Sequence, residues 1–500
     1  MNKKYLVSAI ILSFFLFFAP NLFIKNTQGQ YQEHVLSTKG EIKEEYPEEV
    51  SNQFGIHILE PYDLDKAREL VNSGGGDWGW VTIVIRDDDM DRQKWQVFMD
   101  QCREKHLVPI VRISTHNLNS HWVKPEINDE KKWANFLSSL NWPTEKKHVI
   151  IFNEPNHAKE WGETINPREY ARILAAFIDS LKNMNKNFTV MNAGLDLAAP
   201  NTKETMEAYR FMEEMRNEVP DIFEKLDAWS SHSYPNHGFV GKPWESGKTS
   251  IKGYEWELNV LKNNFSLKKE LPVFITETGW PKSETTYVWR KTKSGYKKVP
   301  INKYYDSNTA AEYLKKAFEE VWLKDKRIKA VTPFVLNYPG DLFANFSWFD
   351  KEGNPYPQYE LIKSMAKDKW WPSQETKYEI KSIYLPSFMP LKTKFTGKIT
   401  IKNVGQSIWG DREILSVLSH NTGDLIISDL VLGTAKVKPG EVIEVNFTVE
   451  SATRSGNFRL GWEGMPEFEL KVMPSSIITA AKYNLWESFI LKVKYFLSKY

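Results

Sequence analysis

The chain has few of the features that mark several large classes of protein. Its 500 residues include one cysteine, Cys102, so an intramolecular disulfide is excluded, and its helical surroundings favour a buried apolar role. The formal net charge is only +2, which gives no electrostatic basis for a nucleic-acid or other polyanionic partner. No glycine-rich phosphate loop follows the first predicted strand, because the three glycines at 74–76 precede the second strand and favour a turn.

Patterns of metal ligands are weak as well. Asp87, Asp89 and Asp91 begin in the manner of a calcium loop. Arg92 stands where such a loop needs glycine, and Phe98 stands where it needs glutamate. N-capping of a following helix explains the three aspartates better, so we predict neither a metal nor a cofactor.

Aromatic residues, by contrast, are abundant, at 14% of the chain with 19 tryptophans. Flat apolar rings are what a sugar-binding cleft requires, although core packing has to account for most of them. The excess therefore suits a carbohydrate-binding protein without proving one.

The N-terminal residues 1–29 have the pattern of a targeting segment. Lys3 and Lys4 precede an apolar stretch of about 20 residues, long enough to span a bilayer as a helix. A cleaved signal peptide and a retained membrane anchor both fit, and either places the rest outside the cytoplasm, secreted or held at the cell surface. Residues 30–50 are acidic and have no apolar period, which predicts a spacer.

From residue 51 to residue 370, short apolar runs alternate with amphipathic stretches, which predicts βα units and a parallel sheet. There are eight such runs, the number that a closed (β/α)8 TIM barrel requires. The predicted strands are residues 54–59, 80–85, 108–113, 148–152, 188–194, 226–232, 272–277 and 329–336. The clearest predicted helices are residues 91–105, 167–184 and 307–323, and a hairpin is predicted within residues 283–306.

Two of these apolar runs stop at a glutamate. Glu154 ends the run that begins at His148, and Glu277 ends the run that begins at Pro272. In a barrel the carboxyl ends of the strands form the catalytic face, so both carboxylates are expected at one site. Two carboxylates that face each other are the working groups of a glycoside hydrolase. The alternative is that each glutamate caps the helix after its strand.

These residues resemble the motifs of the clan A glycoside hydrolases, most closely family five and its neighbours. Asn153-Glu154-Pro155 is similar to the strand-4 motif, and the Thr-Glu-Thr-Gly-Trp segment around Glu277 is similar to the strand-7 segment. The resemblance implies that Glu154 is the general acid/base and that Glu277 is the nucleophile of a retaining mechanism. It also implies that Asn153 binds the sugar 2-hydroxyl.

Other strand ends carry residues that the same resemblance assigns to substrate binding. The matching positions are Arg86 after strand 2, His116 after strand 3, His232 and Tyr234 after strand 6, and Trp280 within the nucleophile motif. Arg86 and Tyr234 are expected to hold the nucleophile in its charged form. The simpler alternatives are an ion pair between Arg86 and a neighbouring aspartate, and a structural role for His232.

One position departs from the family pattern. The tryptophan that is usual at the end of strand 8 is absent from the segment around Asn337. Asn337, Tyr338 or Trp348 would then have to form that side of the sugar site. Trp244, in the long segment after strand 6, is a candidate sugar platform, although loop packing explains it equally well.

A second predicted domain and a tail follow the barrel. Residues 371–473 contain short β-rich runs separated by glycine and proline, which predicts a small all-β sandwich. Asn403-Val-Gly405, followed by Trp409, resembles a signature of immunoglobulin-like accessory domains. Residues 474–500 predict an amphipathic helix with lysines, which either lies on an anionic membrane or docks on the protein itself.

The sequence therefore predicts an extracytoplasmic, membrane-tethered, retaining glycoside hydrolase that cleaves β-linked poly- or oligosaccharides. A transglycosylase could use the same site. The alternative from another class is a catalytically silent glycan-binding or cell-surface scaffold protein, which the intact pair of glutamates argues against. A carbohydrate is the expected partner, nucleic acid is not, and the sequence leaves the oligomeric state open.

Overall fold

The computed structural model describes residues 31–42, 51–126, 128–283, 286–292, 295–301, 303–386, 388–412, 415–421, 424–433 and 435–474. They belong to two compact units, Glu45–Gln374 and a second unit that joins Met1–Glu44 to Glu375–Tyr500. The predicted targeting segment (1–29) and all but the first residue of the predicted C-terminal helix (474–500) lie outside the described residues. No helix among those described is both long and apolar enough to traverse a lipid bilayer.

The elements are numbered in chain order. The strands are β1 Tyr31–Ile42, β2 Gly55–His57, β3 Gly79–Arg86, β4 Leu107–Ser114, β5 Asn117–Leu118, β6 His121–Trp122, β7 Lys147–Ile151, β8 Phe188–Met191, β9 Trp229–Ser231, β10 Val273–Ile275, β11 Thr286–Thr292, β12 Gly295–Ile301, β13 Ile328–Val331, β14 Thr376–Pro386, β15 Phe388–Pro390, β16 Lys394–Asn403, β17 Ser416–Val417, β18 Ser419–Asn421, β19 Ile426–Ile427, β20 Leu430–Val431, β21 Val442–Glu450, β22 Gly456–Trp462 and β23 Phe468–Met473. The helices are α1 Leu64–Asn72, α2 Arg92–Glu104, α3 Asp129–Ser138, α4 Pro167–Met184, α5 Ala208–Glu218, α6 Ile222–Lys225, α7 Gly253–Asn259, α8 Ser307–Glu320 and α9 Pro357–Ser364. Short 3-10 turns lie at Pro61–Asp63, Ala158–Glu160, Trp322–Lys324 and Ala344–Phe346, and a π turn lies at Val260–Asn264.

The first unit has a parallel strand at each of the eight predicted positions. Five of them form one sheet in the order β2-β3-β4-β7-β8, and three form a second sheet in the order β13-β10-β9. Phe54 pairs with Val331 and Met191 pairs with Ala228, both in parallel, so the edges of the two sheets meet on both sides. The clearest predicted helices are present as α2, α4 and α8, and β11 and β12 form the predicted hairpin.

Alternate side chains of the parallel strands face a common interior, because successive residues of a strand point to opposite faces. One level of this interior is apolar and contains Trp80, Ile110, Ile150 and Phe274. Trp370, from the segment after α9, packs against the same cluster. This part of the interior is therefore a packed core and not a channel.

At four of the eight parallel strands (β3, β9, β10 and β13), a residue with a hydroxyl group stands two positions after a residue that belongs to this apolar cluster. Thr82 and Thr332 share a hydrogen bond of 2.8 Å, and Ser230 and Thr276 share another of 2.8 Å. All four residues are buried, and their hydroxyls satisfy one another.

The elements of regular secondary structure among the described residues of the second unit are all β-strands. One sheet has the order β1-β14-β16-β21-β19, and another has the order β15-β23-β22-β18. Side chains of both sheets, including Ile401, Phe447, Leu460 and Trp462, share one apolar cluster. A single core of this kind is what holds two stacked sheets together.

The residues of the Asn-x-Gly…Trp signature are structural in this unit. The buried side-chain amide of Asn403 donates to the backbone carbonyls of Ser407 and Val437, both at 2.9 Å. Gly405 has no room for a side chain, since a Cβ would lie 2.3 Å from the backbone oxygen of Glu375. Trp409 is almost fully buried. The signature therefore marks a packing feature of the fold.

The structure differs from the predicted spacer over residues 31–42. These residues form β1, which pairs antiparallel with β14 from Tyr31 opposite Pro386 to Ile42 opposite Thr376. An edge strand is held by backbone hydrogen bonds to its neighbour, so it does not need the apolar period that the segment lacks.

Candidate active site

The two glutamates singled out in the sequence lie just beyond the carboxyl ends of two interior strands, Glu154 after β7 and Glu277 after β10. The chain turns sharply after β7, with φ of +69° at Phe152 and +30° at Glu154, a region that residues with a Cβ rarely adopt. Asn156 is fully buried and fixes this turn by donating its side-chain amide to two backbone carbonyls, one of them that of Asp196. Such strain persists only where the surrounding structure supports it, and it is common at functional sites.

The carboxyl groups of Glu154 and Glu277 lie close together. One oxygen of each and a ring nitrogen of His232 are all within 4.8 Å of one another. Nδ1 of His232 is 2.8 Å from Oε1 of Glu154 and 3.9 Å from Oε2 of Glu277. These three groups could together bind a metal ion. However, a guanidinium already occupies the other oxygen of Glu277 and opposes a second cation there.

That guanidinium belongs to Arg112, on the interior face of β4. Its Nη1 donates to Oε1 of Glu277 at 2.6 Å and to Oδ1 of Asn153 at 2.6 Å. The arginine side chain is 11% exposed and that of Glu277 is 12% exposed, so this ion pair is shielded from water. Arg112 therefore fixes the nucleophile candidate and the neighbouring amide in one contact.

The prediction that Arg86 stands beside Glu277 is wrong. Arg86 pairs with Asp88, and both side chains are about half exposed, as in the simpler alternative. In the parallel pairing of β3 and β4, Arg112 lies opposite Val84. Arg86 is therefore two residues beyond the level of the carboxylates, where the interior opens to solvent.

Tyr234 supplies a second donor to Glu277, with its hydroxyl 3.1 Å from Oε2. Burial and the adjacent carboxylate raise the pKa of this phenol well above its usual value, so it stays protonated. Burial alone would raise the pKa of Glu277, but His232 and Arg112 outweigh it and lower that pKa to about 2. Glu277 is therefore ionised over the whole ordinary pH range.

His232 is buried and contacts both glutamates. Burial favours its neutral form, but the charges of Glu277 and Glu154 outweigh burial and raise the pKa of its imidazole. Gly194 gives the ring its space, because a Cβ there would lie 2.2 Å from Cδ2 of His232. The carbonyl of Gly194 also accepts from the backbone N–H of Glu154 at 3.1 Å. One glycine thus positions both groups.

A third carboxyl group lies beside the pair and was not predicted. Nδ2 of Asn153 donates to Oε2 of Glu160 at 3.3 Å, while Oδ1 of the same amide accepts from Arg112. Burial and the nearby charge of Glu154 raise the pKa of Glu160. The amide of Asn153 is therefore oriented from both ends, with its oxygen toward the cation and its nitrogen toward the acid.

Two other predicted substrate-binding residues lie apart from the glutamate pair. His116 forms a hydrogen bond of 3.1 Å with Asp87, and 44% of its side chain is exposed. Asn337 lies beside Asp63, a buried carboxyl group whose pKa burial raises to about 6. Neither residue has a direct contact with Glu154 or the nucleophile candidate among the described hydrogen bonds.

The two predicted tryptophans belong to one aromatic row. The buried indole of Trp280 donates to the carbonyl of Gly241 at 2.7 Å. Its ring packs edge-on against Tyr313 at 5.9 Å, and Tyr313 packs edge-on against Trp244 at 5.7 Å. Trp244 is 55% exposed and forms the open end of the row. Trp280 therefore supports the buried end of this aromatic row, and the exposed ring of Trp244 has the ammonium groups of Lys242 and Lys316 at 5.5 Å and 5.8 Å from its centroid.

Phe334 is an aromatic residue in the segment that follows β13, the last of the eight parallel strands. Its ring packs edge-on against His57 at 5.2 Å and against Phe346 at 5.8 Å. Trp348, which the sequence offered for this side, is almost fully buried. Phe334 is partly exposed and lies three residues beyond the end of β13.

No protein-family model matches this chain, and no curated protein sequence matches it. Solved structures of glycoside-cleaving enzymes are similar to it at low identity. A glucosidase from Croceicoccus marinus is 10% identical, with 84% of this chain and 100% of that chain covered and a TM-score of 0.45. An endo-β-1,4-glucanase from Xanthomonas axonopodis pv. citri is 11% identical, with 62% and 98% covered and a TM-score of 0.41.

A β-mannanase from Thermomonospora fusca is 13% identical, with 64% of this chain and 92% of that chain covered and a TM-score of 0.39. All three TM-scores are below 0.5, so these likenesses carry no conclusion about function. The geometry of the site has to supply it.

Proposed function

We propose that this protein is a retaining glycoside hydrolase that cleaves β-glycosidic bonds of a poly- or oligosaccharide, with Glu154 as general acid/base and Glu277 as nucleophile. The observation that carries the proposal is the pair of carboxyl groups with oxygens within 4.8 Å of each other. Retaining enzymes hold their carboxyl groups about 5–5.5 Å apart, whereas inverting enzymes leave about 6.5–9.5 Å for a water molecule. The closest oxygens of the pair lie within 4.8 Å, which is consistent with the retaining spacing and supports that assignment.

The surroundings of the two glutamates suit different roles. Glu277 is ionised and held by Arg112 and Tyr234, so it can attack the anomeric carbon. Glu154 gives its proton to the glycosidic oxygen as the bond between that oxygen and the anomeric carbon breaks. Water then attacks the glycosyl ester and passes a proton to Glu154, which releases the sugar and restores the Glu277 carboxylate.

Asn153 is the proposed contact of the sugar 2-hydroxyl. Arg112 and Glu160 fix both ends of its amide before a substrate arrives, so forming the contact needs no reorganisation of the amide. Trp244 and Phe334 are the proposed aromatic faces for neighbouring parts of the sugar chain.

The rest of the proposal concerns architecture and location. The paired sheet edges of the first unit support a closed (β/α)8 barrel, and the core shared by two sheets supports an immunoglobulin-like sandwich in the second. An extracytoplasmic location and a membrane tether rest on the sequence patterns of residues 1–29 and 474–500.

The test combines a substrate panel with azide rescue. The wild type is assayed on 4-nitrophenyl β-glycosides and on β-linked polysaccharides for product release. Glu277→Ala should abolish turnover, and Glu277→Gly should recover it with azide and yield the α-glycosyl azide. Glu154→Ala should keep activity on substrates with good leaving groups, because these need no acid, and azide should yield the β-glycosyl azide.

The outcomes separate the candidate functions. Reversed azide products would exchange the two roles, and full activity in both variants would place the site elsewhere. Transfer of the sugar to another sugar rather than to water would identify a transglycosylase. Binding of a glycan without any bond cleavage would identify a silent scaffold.

A further inference from the structure

His57 is a buried histidine beneath the glutamate pair with no evident structural task. It is the last residue of β2, and it is fully buried. Neither of its ring nitrogens has a hydrogen-bond partner among the described residues. A buried polar group without a partner costs stability, so its presence needs a specific explanation.

The ring is held firmly and is aimed at the nucleophile candidate. The backbone N–H of His57 donates to the carbonyl of Pro333, and its carbonyl accepts from the N–H of Leu336. Phe334 packs on the ring edge-on at 5.2 Å. Nδ1 of His57 lies 4.0 Å from Oε1 of Glu277, which is about 1 Å beyond an ordinary hydrogen bond.

The imidazole is neutral near pH 7. Burial and the positive charge of Arg112 lower its pKa to about 3, against the opposing effect of Glu277. Arg112, Glu277 and His232 are the charged groups that act on it. A neutral ring beside a carboxylate is most stable with its N–H toward the oxygen, which favours the tautomer that carries hydrogen on Nδ1.

We propose that His57 is a positioning residue for Glu277, and that its neutral Nδ1–H forms a hydrogen bond with Oε1 as that carboxylate moves to and from the anomeric carbon. This inference rests on the proposed function of the site. A contact that is long in the resting enzyme and short in the transition state lowers the barrier without tightening substrate binding. Its loss should therefore lower kcat and leave KM nearly unchanged.

The variants His57→Leu and His57→Asn test the donor. Leucine removes it, whereas asparagine keeps an amide N–H near the position of Nδ1. We expect His57→Leu to lower kcat by roughly 100-fold, the lower range for loss of one preorganised donor, with KM within about twofold. The kcat of His57→Asn should be at least about tenfold higher than that of His57→Leu. Equal losses in the two variants would refute a donor role.

His148→Leu is the matched control. His148 is also buried, its pKa is also lowered to about 3 by burial, and its ring lies against Trp80 and Phe274 in the apolar part of the interior. The substitution should cost stability but leave kcat within about twofold. A loss as large as that of His57→Leu would show that the effect is one of packing.

A second measurement is independent of turnover. In the full chain labelled with ¹⁵N-histidine, the His57 signals are those missing from His57→Asn. They should show a neutral ring protonated on Nδ1 from pH 5 to pH 8, and they should shift in Glu277→Gln. An imidazolium at pH 6, a ring protonated on Nε2, or no shift would overturn the inference. If the wild type cleaves no glycoside, the proposed function fails, and these signals still decide the contact between His57 and Glu277.

Discussion

Replacement of Arg112 by glutamine is the sharpest test of how the site works. Nη1 of Arg112 is 2.6 Å from Oε1 of Glu277 and 2.6 Å from Oδ1 of Asn153, in a nearly buried setting. A positive charge at this distance lowers a carboxyl pKa by roughly 1–3. Arg112→Gln should therefore raise the pKa of Glu277 from about 2 to roughly 3–5.

Two effects on kcat/KM follow from that change. The acid limb of the pH profile should move upward, because Glu277 must be ionised to attack. Above that limb a pH-independent loss of roughly 100–1,000-fold should remain, since a preorganised donor has been removed from both Glu277 and Asn153. The assay uses the 2,4-dinitrophenyl β-glycoside of the sugar that the wild type prefers, because its leaving group needs no acid from Glu154.

Arg86→Gln is the control, because that arginine is about half exposed and pairs only with Asp88 among the described hydrogen bonds. It should leave kcat/KM within about twofold. The reasoning fails if Arg112→Gln keeps both the wild-type acid limb and the wild-type rate, or if Arg86→Gln loses as much activity as Arg112→Gln.

Two further substitutions have defined outcomes. Glu257 is fully buried, accepts a hydrogen bond from Ser231 at 2.5 Å, and has its pKa raised by burial to about 7. A carboxyl pKa that is raised by folding stabilises the protein fully below its unfolded value of about 4.5 and loses that contribution as pH rises through 7. Because of this group, the free energy of unfolding measured in urea should fall by about 3 kcal/mol between pH 4 and pH 9. Glu257→Gln should remove that fall. A variant with the same pH dependence as the wild type would contradict the prediction. Gly194→Ala should displace the ring of His232 and lower kcat at least about tenfold. Gly456→Ala is the control and should not lower kcat, because a Cβ there meets only ordinary van der Waals contacts. A fully active Gly194→Ala protein would show that the ring has room.

Much of the first unit was predictable because its parallel strands are continuous apolar runs, and such runs are typical of buried parallel strands. The same runs predict the positions of Glu154 and Glu277, since one of these glutamates follows each run. The role of Arg112 was not predicted, because this residue lies inside one of the apolar runs. Val108, Ile110 and Arg112 share one face of β4, and a lone arginine on an interior face requires a buried anionic partner, which is a usable signal.

Other parts of the site depend on contacts that one segment of sequence cannot reveal. His57 is the last residue of its strand, whereas Glu154 and Glu277 lie just beyond theirs, and a histidine at a strand end is compatible with many structural roles. Glu160 joins the site only because the chain turns back after β7, a turn that depends on buried hydrogen bonds of Asn156. The edge strand β1 needs β14 as a neighbour, and no local pattern reports a partner more than three hundred positions away.

The pairing of β1 with β14 also sets an order of events during synthesis. β1 ends at Ile42, and β14 begins at Thr376, after the whole first unit has been made. At roughly 5–20 residues per second, the ribosome takes on the order of 20–60 s to produce the missing neighbour. During that interval β1 has no neighbouring strand, so its backbone N–H and C=O groups are available for pairing with other nascent chains. Its charged residues Lys39 and Glu41 oppose such pairing, so the composition that suggests a spacer would keep the strand from aggregating before β14 is made.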